Sequence, residues 1–359
     1  MAGTLGQGGA ERQLYYILKV LKEAGAEPRV LCLTRGEYWE KRIEELGVPV
    51  VWVGQSKSRI LRLIKIITEL AKNKPEVIQS QHFYCNLYAV LAARILSVKE
   101  IGAIRSDAVH NISAGGKYYG PLSLRLPRKI AVNSKAAIEN AVSAGAKRGR
   151  LFYLPNAVDC KVFSPGEAAC ERDYLYILSA GRMSREKRFD RMLNVLRGVI
   201  KNSTVPIRIS IAGDGPLRQE LERQAAFLGL SKDIDFCGIK TDDEMPSFYR
   251  QGDIFLLTSD YEGTPNVILE AMASGLCVVA ASVGDLPNII SHGEPGFLFN
   301  HHDENAAAEV LLELTRSRNL REKVGQNARA AIQDRYSFEK LASSLSALYG
   351  NLIRNKREL

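Results

Sequence analysis

The chain has 359 residues, 46% of them apolar and 25% charged, with a formal net charge of +9. That length accommodates two ordinary domains, and the balance of residues excludes a disordered chain. No apolar run approaches the length needed to span a bilayer, and the opening residues lack the basic and apolar regions of a secretory signal, so a cytoplasmic location is expected.

The charge is unevenly placed. Through Pro165 there are 25 Lys and Arg against 13 Asp and Glu, a net of +12; the remainder carries a net of −3. A basic first half can attract nucleic acid, anionic lipid or an acidic substrate. Cys32, Cys85, Cys160, Cys170, Cys237 and Cys277 are scattered with no Cys-x-x-Cys pair, which points away from a zinc site or a disulfide framework.

In chain order, strand-like segments fall at 29–33, 50–53, 76–79, 101–104 and 129–132, with helical patterns between them. Asn133 and Ser134 follow the last of these as a helix cap. After the turn residues Ser164, Pro165 and Gly166 the alternation restarts, with strands at 174–178, 207–211, 254–257 and 277–280. Such alternation signifies parallel α/β construction, here two doubly wound domains, 1–164 and 165–337. Three helical stretches run from Glu304, and the last, 338–359, is expected to pack back on the first domain. A doubly wound domain opens with a strand that delivers its first glycine loop. Only five residues precede Gly6, too few for a buried strand, so an apolar strand of about five to eight residues is expected ahead of Gly3.

The segment with the most chemical content is Ser259-Asp-Tyr-Glu-Gly-Thr-Pro-Asn-Val-Ile-Leu-Glu270. It follows a strand and opens a helix, with Thr264 expected as N-cap and Pro265 as the first helical residue. The amides that follow, at Asn266 and Val267, suit a diphosphate, because helix starts present N–H groups and a positive dipole end. Glu262 and Glu270 flank that start, separated by seven residues. An acid beside a phosphate is unfavourable unless it has another task, and accepting hydrogen bonds from sugar and ribose hydroxyls is one. Arg182 and Lys187 lie in the loop after the strand at 174–178, where open α/β sheets bind ligands, and both can neutralise a leaving diphosphate. Gly213-Asp-Gly-Pro216 is a glycine turn without the G-x-G-x-x-G spacing of a dinucleotide site.

Together these segments resemble glycosyltransferase family 4 (the group 1 glycosyltransferases). The resemblance also rests on Gly8-Gly-Ala-Glu-Arg12, Asn133-Ser134, Pro155-Asn-Ala-Val-Asp159, Glu270-Ala-Met-Ala-Ser-Gly275 and Gly293-Glu-Pro-Gly-Phe-Leu298, in family order. It implies a GT-B fold, two Rossmann-like doubly wound domains facing across a cleft, and a retaining, metal-independent transfer with no cofactor. Arg182 and Lys187 would then serve the donor diphosphate, Glu262 the transferred sugar and Glu270 the ribose. Gly8 and Gly9 would bring backbone amides to the phosphates, where a Cβ would obstruct. The base would lie near residues 236–240, with a UDP-sugar the preferred donor. The acceptor would be a glycan or a lipid-linked molecule, in cell-surface polysaccharide or glycolipid assembly; the alternative is a non-catalytic nucleotide-sugar-binding relative.

The chain departs from the family pattern in places. Arg105-Ser106-Asp107 stands where relatives carry a histidine-aspartate pair, which makes His82 the catalytic histidine candidate. Ala157 replaces a usual glycine, and Asn288 a frequent glutamate. Asp233-Ile-Asp235 matches a metal-binding D-x-D but sits apart from the other motifs, and His301-His302 lacks a supporting carboxylate. The basic helix predicted at 56–74 places Ile60, Leu61, Ile64, Ile67 and Leu70 on one broad face. It serves either as a core-facing crossover helix or as a peripheral contact with anionic membrane at the inner face of the cytoplasmic membrane. No nucleic-acid-binding module accompanies the basic half, so no nucleic-acid partner is expected.

Overall fold

The structure, a computed structural model, describes residues 1–105, 112–113, 116–166 and 172–353. The chain forms two compact units, Met1–Ala157 with the segment from Phe338 onward, and Val158–Ser337. The division falls at Val158 rather than at Pro165. The Val158 amide donates to Tyr336 O at 2.9 Å, and the Arg329 guanidinium donates to the carbonyls of Phe163 and Cys160 at 3.1 and 3.2 Å. These bonds tie residues 158–163 to the helix Arg318–Tyr336 of the second unit.

In the first unit the strands are β1 (Val30–Cys32), β2 (Val50–Trp52), β3 (Val77–Gln79), β4 (Lys99–Ile104), β5 (Lys129–Val132) and β6 (Leu151–Tyr153). β1 pairs with β2, and β3-β4-β5-β6 form a second parallel run. Met1 and Ala2 lie between the two runs. Ala2 N–H donates to Leu31 O at 2.9 Å, Leu33 N–H to Ala2 O at 3.2 Å, and Gln81 N–H to Met1 O at 2.8 Å. Residues 1–5 are thus no regular strand, yet Met1 and Ala2 meet both neighbours, and Ala2 and Leu5 are buried.

The second unit holds β7 (Leu175–Ala180), β8 (Ile207–Ala212), β9 (Ile234–Gly238), β10 (Ile254–Leu257), β11 (Cys277–Ala281) and β12 (Phe297–Phe299) in the order β12-β11-β10-β7-β8-β9, all parallel. β10 and β11 are buried along their whole lengths, as their unbroken apolar runs require of a sheet covered on both faces. Strand order reverses between β10 and β7, and such a switch point opens a crevice at the carboxyl edge. β6 and β12, which fall outside the strand-like segments read from the sequence, are edge strands defined by their pairing with β5 and β11.

The helix Phe338–Ile353 belongs to the first unit. Leu341, Leu345, Leu348 and Leu352 recur at helical spacing and are buried in one cluster with Tyr16, Ile17 and Val20 of the helix Gly9–Glu23. Phe338 meets the Tyr16 ring edge-on, with centroids 4.9 Å apart. Leu345→Ala should therefore cost about 2–5 kcal/mol, the usual loss for a buried leucine. Urea unfolding followed by circular dichroism checks this; a loss below about 1 kcal/mol would show that the helix is not integral to the core.

Candidate active site

In the second unit Arg182, Lys187, Glu262 and Glu270 all lie at or beyond the carboxyl edge of the sheet. The loop after β7 forms a 3-10 turn, Arg185–Lys187, and the loop after β10 carries residues 258–265 into the helix Asn266–Ala273. β7 and β10 are neighbours, so Lys187 and Glu262, 75 positions apart, meet: Lys187 Nζ donates to Glu262 Oε1 at 2.7 Å. Ser259 Oγ donates to the same oxygen at 2.7 Å. Glu262 is buried and Lys187 largely so, which strengthens the pair beyond a surface contact.

Close backbone packing sets both loops. A Cβ on Gly213, whose φ is +131°, would come within 2.0 Å of Gly181 O, so the glycine turn after β8 braces the loop of Arg182. Met183 N–H donates to Asp214 O at 2.9 Å across that contact. On the other side Gly284, at φ +56°, leaves room for Glu262 O, which a Cβ there would approach to 1.9 Å. Only glycine combines that backbone with that approach.

The helix start departs from the expected cap. Pro265, extended at φ −72° and ψ 115°, is itself the N-cap, and Asn266 is the first helical residue. Thr264 does not cap the helix; its hydroxyl lies 3.5 Å from Asp285 Oδ2, and Asp285 Oδ1 accepts Asn288 Nδ2 at 3.0 Å. Asn266 and Val267 head the helix, before Ile268 and Leu269, whose amides close onto Pro265 O. Glu270 is buried and accepts the Tyr249 hydroxyl at 3.0 Å. Arg182 is exposed, and Ile239, just past β9, is 63% exposed.

In the first unit, Gly8 caps the helix Gly9–Glu23, and a Cβ on it would lie 2.3 Å from Glu11 Oε2. Glu11 Oε1 accepts Thr4 Oγ1 at 2.8 Å and pairs with His82 Nε2 at 3.0 Å, while the Gly3 amide donates to His82 Nδ1 at 3.0 Å. That acceptor role assigns the proton of the neutral ring to Nε2, the donor to Glu11. Both nitrogens of His82 are engaged in holding residues 3–11. Arg105, after β4, donates to Leu154 O at 2.9 Å, and burial lowers its guanidinium to about 10. Ser106 and Asp107, like Cys170, lie outside the described residues.

Residues 7–162 match the model for Glycosyltransferase Family 4, and residues 166–331 that for Glycosyl transferases group 1. The chain belongs to glycosyltransferase family 4. It is 28% identical over 347 residues to the sulfoquinovosyl transferase SQD2 of Arabidopsis thaliana, covering 89% of this chain and 66% of that protein. It is 27% identical to the lipopolysaccharide core biosynthesis glycosyltransferase LpsE of Rhizobium meliloti, covering 94% and 96% of the two chains. Several of the curated relatives are matched over only about half to two thirds of their length. Anabaena Alr3699/HepE, solved in complex with UDP, superposes with a TM-score of 0.85 at 18% identity over 98% of each chain, which shows the GT-B fold.

Within that family frame, one unit brings together Lys187, Glu262, Thr264 and the helix headed by Asn266 and Val267, while Gly8, Gly9 and His82 belong to the other. Asp233 and Asp235 sit at the amino end of β9, at the opposite edge of the sheet from Lys187, and His301 and His302 stand beyond β12. Among the described residues no three His, Cys, Asp or Glu side chains are arranged to hold a metal ion. Ser259, Tyr249, Asp285 and Glu11 were not singled out as functional residues from the sequence. Ser259 stands inside the motif it supports; Tyr249 gives no sequence signal, because only the fold brings it to Glu270.

Burial pushes the Glu11 carboxyl up, but the hydrogen bonds from His82 and Thr4 outweigh it and hold the group below its ordinary value. A carboxylate lowered by folding stabilises the fold above the ordinary carboxylate range and loses that contribution as pH falls through it. Glu11→Gln should therefore melt below the wild type near pH 6, with the gap closing below about pH 4. Melting curves across that range check it; a gap independent of pH would count against an ionised Glu11 carboxylate held by these bonds.

Proposed function

We propose that the protein is a retaining glycosyltransferase that moves a sugar from a UDP-sugar to a glycan or lipid-linked acceptor. The observation that carries the reading is the Lys187–Glu262 contact at the switch point, beside the helix headed by Asn266. In this reading Lys187, Arg182 and the positive helix end take the diphosphate, Glu262 the sugar hydroxyls and Glu270 the ribose. Ile239 offers an apolar surface near the base. Gly8 and Gly9 are assigned to the phosphate side, and His82 holds the loop that carries them.

The bond from the anomeric carbon to the diphosphate oxygen breaks as Lys187 and Arg182 stabilise the negative charge that develops on the leaving diphosphate. The acceptor hydroxyl attacks from the face the diphosphate leaves, and its proton passes to the departing phosphate oxygen. Retention follows, with neither a separate protein base nor a metal required. Alr3699/HepE has been solved with UDP-glucose, and LpsE is named for lipopolysaccharide core biosynthesis; both support the donor and acceptor classes.

The helix Arg59–Lys72 supports an acceptor held at a membrane. Ile66 and Leu70 face the core, but Ile60, Leu61 and Ile64 are exposed, at 71%, 58% and 53%. Arg59 lies over the Tyr119 ring at 5.0 Å and joins this face to the helix Gly116–Arg125, where Tyr118 and Leu122 are exposed. Among the described residues no helix is long and apolar enough to cross a membrane, so contact here would be peripheral.

A donor-hydrolysis screen across nucleotide sugars should find turnover, with UDP-sugars preferred and activity surviving EDTA. Strict dependence on manganese would overturn the metal-free mechanism, and binding without turnover would favour a non-catalytic relative. Glu270→Ala should lower turnover by about tenfold or more, since a charge-assisted hydrogen bond contributes roughly 1.5–3 kcal/mol. Unchanged nucleotide affinity by calorimetry would remove its ribose role. Ile64→Glu should reduce co-sedimentation with phosphatidylglycerol vesicles while leaving hydrolysis of soluble donor unchanged; equal sedimentation would remove the membrane role of this helix.

A further inference from the structure

Arg188 occupies a left-handed backbone conformation, φ 51° and ψ 43°, that glycine adopts freely and a residue with a Cβ resists. It separates the turn carrying Lys187 from the helix Phe189–Asn202. The conformation turns its side chain toward the loop after β10. There Nη1 donates to Asp260 Oδ2 at 2.7 Å, while Nε reaches Asp190 at 3.0 Å. The other oxygen of Asp260 accepts Arg191 Nη2 at 2.7 Å, and Arg191, only 4% exposed, also donates to Thr258 O at 3.0 Å.

The backbone joins in. Asp260 N–H donates to Glu186 O at 2.9 Å, and Thr258 Oγ1 to Arg188 O at 3.0 Å. One carboxylate thus bridges two guanidinium groups across the switch point. The bonds lie directly beside the two residues whose side chains meet, Lys187 and Glu262. Burial raises the Asp260 carboxyl, and the two arginines more than offset it, leaving the group below its ordinary value.

We propose that Asp260, Arg188 and Arg191 are positioning residues, a clamp that sets Lys187 against Glu262 before any donor binds. The proposal rests on the reading of Lys187 and Glu262 as donor groups. Its physical basis is preorganisation. A cation that serves a leaving diphosphate acts most strongly when its place is fixed beforehand, and a misplacement of about 1 Å can cost a hundredfold in rate. Lys187 sits on a one-turn 3-10 segment with no helix of its own to hold it, so its place depends on these cross-loop bonds.

Arg188→Gly tests this, because glycine suits the backbone and removes only the guanidinium. The pairs it loses are partly exposed, so the melting temperature should stay near the wild type. Turnover of the preferred nucleotide sugar should fall by roughly tenfold to a hundredfold, with affinity for uridine, which lacks the diphosphate, near the wild type by calorimetry. Arg188→Lys, which restores one donor to Asp260, should recover part of the loss. Independently of activity, acylation of Lys187 followed by mass spectrometry should run faster in Arg188→Gly, since the amine is no longer held on Glu262. Wild-type turnover together with unchanged Lys187 acylation would overturn the clamp. If the wild type turns over no nucleotide sugar, the donor reading fails, and the acylation rates alone decide the clamp: faster supports it, unchanged overturns it.

Discussion

Lys187 and Glu262 are held together by the order of strands, since each follows a strand of its own and those strands become neighbours only where the sheet changes direction. The right-handed crossovers that cover both faces of a parallel sheet leave one place where two consecutive carboxyl ends are not roofed by a connection. In this chain that place lies between β7 and β10. The turn of Lys187, the acid of Glu262 and the helix headed by Asn266 all open there. The rest of the unit supplies the stiffness, with β10 and β11 buried on both faces and the glycines at 213 and 284 letting backbone pack on backbone.

The same arrangement answers an electrostatic difficulty. A carboxylate close to a helix start repels any anionic ligand drawn to that positive end. Here Oε1 of Glu262 is occupied by the Lys187 ammonium and the Ser259 hydroxyl, so the acid is locally compensated. Asp260 is treated alike by Arg188 and Arg191. Each acid of the loop after β10 is matched by a cation from the segment after β7. The loops are therefore interdependent, and their charges are meaningful only as a set.

The first unit shows a different use of polar groups. Glu11 and His82 are far apart in sequence, yet they lock residues 3–11 through Thr4, the Gly3 amide and the space left by Gly8. Gly8 therefore has a reason internal to the loop, the room it gives to Glu11. The buried thiols are part of the packing: Cys85 and Cys277 are both pushed up to about 12 by burial, which keeps them protonated and unreactive.

Much of this was legible in the residues themselves. Alternating strand and helix patterns, glycine turns and the spacing of Glu262 and Glu270 point to two parallel α/β units and to the edge of the sheet where the candidate site lies, because periodicity and turn chemistry are local properties. The cap at Ser134 is of this kind, its hydroxyl accepting the Ala137 amide at 2.9 Å. The shift of the second helix cap from Thr264 to Pro265 is not, since Thr264 is drawn toward Asp285 from the loop after β11. The short strands β6 and β12, the unit boundary at Val158 and the Tyr249–Glu270 bond likewise depend on partners distant in the chain. The sequence by itself determined which residue types stand at each loop. Only the tertiary structure decided which of them meet, because strand order, not spacing along the chain, brings Lys187 to Glu262 and two arginines to Asp260.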